Sequence, residues 1–185
     1  MTFDDLVASL HRGDFSLLAP MFDGPPGGSR LAGWIEGGSF ATDPNALNEA
    51  ATCACFLGRT AWVDYLLDHG ADPIAGAGTG LNGFHWAANR WQLETVKALI
   101  ARRLPMEVRN SYGGTVLGGT VWAAVNEPRS THPAILEALL MAGADVRQAE
   151  YPSGNAGVDT LLLRFAAPAA PDASSCAVAR PRSNP

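Results

Sequence analysis

Three segments of this chain come into register when it is laid over itself at a period of 33 residues. Leu66-Leu67-Asp68-His69-Gly70-Ala71-Asp72 aligns with Leu99-Ile100-Ala101-Arg102-Arg103-Leu104-Pro105, and both align with Leu139-Leu140-Met141-Ala142-Gly143-Ala144-Asp145. Gly70 and Arg103 are 33 residues apart, whereas Arg103 and Gly143 are 40 apart, one period plus seven. An upstream set, Glu49, Asn82 and Thr115, keeps the spacing of 33 at both steps. A fixed period of this length implies an array of stacked helical units, each burying its apolar face against its neighbours. The seven extra residues then belong inside the third unit, between Ala124 and His132.

Within that frame the local pattern reads helix, turn, helix. Apolar residues at 3, 6, 7 and 10 predict a first helix broken by Gly13-Asp14. A second short helix is expected over Phe15 to Ala19, before Pro20. The Gly/Pro-rich stretch 23–33 predicts a loop with no regular element, anchored by Trp34 and Ile35. Paired helices follow over 50–57 and 60–69, over 84–90 and 93–102, and over 116–124 and 134–142. A last short helix is expected at 158–164. Residues 168–185 are Pro, Ala and Ser with little to bury, and predict a disordered tail. The chain thus divides into a degenerate N-terminal cap with its insertion (1–43), repeats with a C-terminal cap (44–167) and the tail (168–185).

Charge and cysteine content narrow the function classes. A net charge of −5 argues against a surface that tracks phosphates, so nucleic acid is not expected as a partner. No apolar run approaches the roughly 20 residues that span a bilayer, so no membrane role is expected. The acidic start Met1-Thr2-Phe3-Asp4-Asp5 and three sparse cysteines point to a reduced, cytoplasmic setting. A single lysine, Lys97, against twelve arginines is the coding bias of a GC-rich bacterial genome.

Motifs with chemical potential reduce to structural readings. Gly78-Thr79-Gly80-Leu81-Asn82-Gly83 has dinucleotide-fingerprint spacing, but it follows a helix where the fingerprint needs a strand. Cys53 and Cys55 are two residues apart on a helix, so their thiols point about 200° apart. No Cys or His pair at zinc-ligand spacing accompanies them, and His11, His69, His85 and His132 occupy unrelated repeat positions. No nucleophile motif joins a Ser or Cys to a His and a carboxylate. No catalysis, cofactor or metal is expected.

The repeats resemble the ankyrin repeat. Its pattern is Gly-x-Thr-Pro-Leu-His-x-Ala-Ala, a glycine turn, Val-x-x-Leu-Leu and Gly-Ala-Asp. Leu81 to Ala88 matches it at His85, Ala87 and Ala88, and Tyr112 to Leu117 matches it at Gly113, Thr115 and Leu117. Val63 to Asp72 and Leu136 to Asp145 carry the second half nearly intact. The likeness is clear over 44–146. It departs at Glu49-Ala50-Ala51-Thr52, at Gly118 in the histidine place, and at Arg103-Leu104-Pro105; Trp91 takes the inter-helix glycine place.

The resemblance implies an all-α ankyrin-repeat solenoid of about three central helix-turn-helix repeats with degenerate caps. It implies that His85 bonds backbone in the adjoining turn. It also implies a non-catalytic monomer that binds a protein partner through turn tips and the exposed face of the inner helices. On this phase the binding residues are Asn89, Arg90, Arg109, Ser111, Tyr112 and Trp122, whose Tyr, Trp and Arg have hot-spot composition. Trp122 and Phe56 fit either a partner or packing against the insertions. A small enzyme or small-molecule binder with a pocket under the 23–44 segment is the alternative.

Overall fold

The computed structural model describes residues 1–76 and 78–166, so the expected tail at 168–185 lies outside the described residues. Nine α-helices follow in order among them: α1 Phe3–Arg12, α2 Arg30–Glu36, α3 Pro44–Leu57, α4 Thr60–Asp68, α5 Gly83–Asn89, α6 Leu93–Ala101, α7 Val116–Asn126, α8 His132–Met141 and α9 Ala156–Phe165. The inner helices α3, α5 and α7 pack side by side, and the outer helices α4, α6 and α8 form a second layer behind them. α1 closes one end against α3, and α9 closes the other against α7 and α8.

The 33-residue register is a burial register. Val63, Val96 and Leu136 occupy one place on the three outer helices, and Leu66, Leu99 and Leu139 another; all six are 0% exposed. Burying one such side chain is worth about 1.5–3 kcal/mol, and a single hairpin could not cover them alone. The backbone repeats too. Gly58 and Trp91 turn the inner helix into the outer one with φ of 68° and 56°, and Gly70, Arg103 and Gly143 end the outer helices with φ of 86°, 58° and 96°. Trp91 and Arg103 therefore hold a left-handed conformation that favours glycine, at a cost of about 1 kcal/mol each.

Helix starts follow the same register until the first repeat. Asn82 and Thr115 cap α5 and α7, accepting the N–H groups of His85 and Gly118. Their counterpart Glu49 does not cap. α3 begins earlier, at Pro44, with Asp43 accepting the Ala46 N–H. The expected boundary at residue 50 is thus corrected, because Asp43-Pro44 makes an N-cap followed by the residue type best suited to the first helical position.

The N-terminal segment differs from expectation as well. The stretch 23–33 is not wholly irregular: α2 starts at Arg30, where Ser29 accepts the Ala32 N–H and Leu31 and Ala32 are buried. Phe15–Phe22 is a 3-10 helix running through Pro20. Short 3-10 turns at Ser39–Thr42 and Val146–Gln148 have no counterpart in the periodicity. The segment packs on α1 and α3 and is tied to α4 as well. Phe22 packs edge-on to Trp62 at 5.5 Å, the Trp62 indole donates to the Gly24 carbonyl at 3.1 Å, and the Tyr65 hydroxyl donates to Glu36 at 2.8 Å.

The insertion lies inside the third hairpin, as the spacing requires. α7 runs to Asn126 and α8 starts at His132, two residues before the expected start. The connecting loop folds back on the second repeat: the Arg129 guanidinium stands 4.5 Å from the Trp91 ring centre, and the Thr131 hydroxyl donates to the Trp91 carbonyl at 3.4 Å. Among the described residues no helix is long and apolar enough to cross a membrane.

Candidate protein-binding face

The first two junctions along the inner helices are closed by side chains at matching register places. In the second repeat, Asn82 Oδ1 accepts the His85 backbone N–H at 3.0 Å and lies 2.8 Å from His85 Nδ1, while His85 Nε2 lies 3.1 Å from the Gly114 carbonyl. In the first, the Gly78 N–H donates to Glu49 at 2.8 Å, and the Thr52 hydroxyl donates to the Gly76 carbonyl at 2.9 Å. In the third, Gly118 offers no side chain; a Cβ there would stand 2.9 Å from the Gln148 carbonyl oxygen, so backbone approaches helix directly.

Burial lowers the His85 pKa against the opposing pull of the Gly114 carbonyl, and burial raises the Glu49 carboxyl against the Gly78 N–H. His85 is therefore a structural residue, as the resemblance implies.

These junctions hold two fingers in place. The first, from Gly78 to Asn82, contains the glycine spacing discussed above. Its Gly78 N–H is taken by Glu49, and the N–H of Gly83, just past it, by the Pro73 carbonyl at 2.7 Å. It is a turn between α4 and α5, with no strand before it among the described residues. The second finger, residues 108–114, is tied to the first by the Ser111 N–H on the Gly80 carbonyl at 2.9 Å. Inside it, Asn110 Oδ1 accepts the N–H groups of Tyr112 and Gly114. Its tip, Tyr112, is 84% exposed.

The six residues named from the sequence separate into different situations. Tyr112 and Trp122 are exposed, Trp122 by 53%. Asn89 shares the register place of Trp122 and Phe56 and is half-buried. Ser111 is exposed on the finger. Arg109 is a brace, because its guanidinium donates to the Gly113 carbonyl and to Gln148 of the following turn. Arg90 is half-buried, with its guanidinium 4.6 Å from the Phe56 ring centre and 4.8 Å from that of Trp91. The two readings of Phe56 and Trp122 also part: Phe56 packs edge-on between Phe15 (5.6 Å) and Trp86 (5.0 Å), while Trp122 stays open.

Arg129 was not legible as part of this rim. The signal that could have raised it is the bulky Trp91 at a glycine place, which needs something to cover it.

The groups that suggested other chemistry are occupied locally. Cys53 and Cys55 are buried, and burial pushes both thiols up. His11 pairs with Asp43 at 2.7 Å and His69 with the Tyr65 carbonyl at 2.8 Å. The described residues contain no group of three potential metal ligands. Under the 23–44 segment lies a depression of about 270 Å³, lined by Ile35, Phe40, Leu47 and His69 among others. Its walls are chiefly apolar and bring together no set of converging polar groups among the described residues.

No family model matches the sequence, and no curated protein matches it. Solved structures do. An ankyrin repeat domain from Acinetobacter baumannii superposes over 87% of this chain and 97% of its own, with a TM-score of 0.57 and 21% identity. The fold is the ankyrin-repeat fold. A second ankyrin repeat protein superposes over 89% of this chain and 97% of its own, with a TM-score of 0.51 and 18% identity. In ankyrin terms Tyr112 sits at a finger tip, Trp122 lies on the inner-helix face, and the loop 127–131 is an insertion between the two helices of one repeat.

Proposed function

We propose that the chain is a non-catalytic protein-interaction module that docks a protein partner on its inner-helix and finger face. The observation that carries this reading is the exposure of Tyr112 and Trp122 on a face that the array itself leaves uncovered. Tyr and Trp are enriched at the surfaces where proteins meet. Each can bury a large area while hydrogen-bonding through its polar edge.

The face is held by side-chain bonds to backbone and to neighbouring turns, through Asn82, His85, Asn110 and Arg109, so it loses little freedom when a partner arrives. Arg109 in this reading positions the finger, while Asn89, Arg90, Ser111, Tyr112 and Trp122 meet the partner. The protein acts as a monomer, and its acidic balance disfavours nucleic acid.

Affinity capture from native cells with the wild type and with the Tyr112→Ala/Trp122→Ala variant tests the reading. The expected result is a set of proteins held by the wild type and lost from the variant, with unchanged melting temperature. Truncating two aromatic anchors costs about 2 kcal/mol or more of binding. Equal capture by both forms would contradict docking on this face.

A further inference from the structure

The two sides of the array treat cations differently. On the outer side most are matched: Arg59 with Asp23, Arg102 with Asp64 and Asp68, Lys97 with Glu94, and Arg164 with Glu137, while the exposed Arg103 has no partner among the described residues. On the inner rim, Arg90 and Arg129 form no ion pair among the described residues, and their guanidiniums have no hydrogen-bond partner there. Aromatic faces hold them instead. Arg90 lies over Phe56 and Trp91, and Arg129 over the same Trp91 ring at 4.5 Å.

Stacking fixes a guanidinium by its face and leaves its N–H edges free in the plane where a carboxylate binds with two parallel hydrogen bonds. The support is itself fixed. The Thr131 hydroxyl donates to the Trp91 carbonyl, and the Arg129 backbone N–H donates to His132 Nδ1 at 3.2 Å.

Two like charges on one indole are unfavourable without a counter-ion, and no carboxylate among the described residues pairs with either. Glu94 is taken by Lys97, and the exposed Glu127 pairs with neither arginine. The inner helices α5 and α7, which run alongside, contain no Asp, Glu, Lys or Arg. The rim is thus a pre-set positive edge on a neutral aromatic face.

We propose that Arg90 and Arg129, mounted on Trp91, form a carboxylate-binding site, and that the docked partner is an acidic polypeptide segment. Its Asp or Glu side chains meet the two guanidiniums while its apolar side chains cover Trp122. The insertion then has a function: it delivers Arg129 to a place the plain repeat cannot reach. This proposal rests on docking at the inner face and adds the chemistry of the partner.

Selection of a random-sequence peptide display library on the full chain tests it, followed by affinity measurement on the strongest peptide. The selected peptides are expected to be rich in Asp and Glu and to bind more weakly as salt rises. Arg90→Gln and Arg129→Gln should each weaken binding about tenfold, and so should replacing the peptide's carboxylates by amides. Arg90→Lys and Arg129→Lys keep the charge but lose the planar fork, and should fall between. They also serve as the measurement should a Gln variant fail to fold by circular dichroism.

Selected peptides with no acidic excess, or full affinity in the Arg90 and Arg129 variants, would overturn the carboxylate site. If such peptides were still lost by Trp122→Ala, docking on the inner face would stand without it. If Trp122→Ala and Tyr112→Ala also left binding unchanged, or no peptide were enriched, both readings would fall.

Discussion

The first and second junctions of the array occupy the same places in the 33-residue register and close them with opposite chemistry. At the second, Asn82 caps α5 and His85 reaches the Gly114 carbonyl of the next finger. At the first, Glu49 lies inside α3 and receives the Gly78 N–H, while Thr52 reaches the Gly76 carbonyl. A base and an acid thus hold equivalent fingers. Register determines where a bond across the junction is needed; the residue at that place determines its strength and its response to pH.

The weak points differ too. Glu49 keeps one buried carboxylate oxygen without a hydrogen-bond partner among the described residues. His85 has acceptors at both ring nitrogens, the Asn82 side-chain oxygen and the Gly114 carbonyl, and a neutral ring can donate to only one of them.

The largest effect is expected from breaking the stronger junction. His85→Ala leaves Gly114 unpaired and opens a hole beneath the second finger, and should cost about 2–3 kcal/mol in urea unfolding. Thr52→Val, which removes only the hydroxyl, should cost less, about 1 kcal/mol. Equal losses would mean that the two junctions carry the same load.

Glu49→Gln should instead stabilise the protein by about 0.5–1 kcal/mol near neutral pH, because it removes a poorly solvated charge and keeps the acceptor for Gly78. The sign reverses the usual carboxylate case. With a folded pKa raised above 4.5, Glu49 favours the folded state in acid, and that contribution is lost as pH rises through the folded value. The advantage of Gln should therefore disappear below pH 4.5 in the same unfolding series.

The smallest change is Asn82→Thr. Thr caps the equivalent helix at position 115, and its hydroxyl can accept the His85 N–H while donating to Nδ1. A gain of about 0.5 kcal/mol in thermal unfolding is expected, with a loss counting against the acceptor conflict at His85.

Much of the architecture was legible because burial recurs with the period: Leu66, Leu99 and Leu139 mark the outer layer, and the seven-residue slip places the insertion within the third hairpin. What escaped the reading depends on contacts outside the period. α2 starts within a Gly/Pro-rich stretch because a single Ser29 cap and two buried residues suffice to set it. The brace role of Arg109 depends on where Gly113 and Gln148 come to rest in their loops. Arg129 reaches Trp91 only through the insertion, which has no counterpart in the other two hairpins from which to infer its place. Tyr112 was legible as exposed because it lies on a turn where the repeat has no neighbour to cover it, whereas Trp122 and Phe56 share one register place and only their neighbours separate them.

One NMR titration of the wild-type protein, following the His85 ring and the Glu49 carboxyl together, tests most directly whether buried bonds of opposite chemistry close the two junctions. His85 is expected to titrate below 6.5 and Glu49 above 4.5. His85 then supports folding above pH 6.5, and that support is lost as pH falls toward the lowered value, while Glu49 supports folding only in acid. Both groups titrating at their ordinary values would show them open to water and would contradict the account.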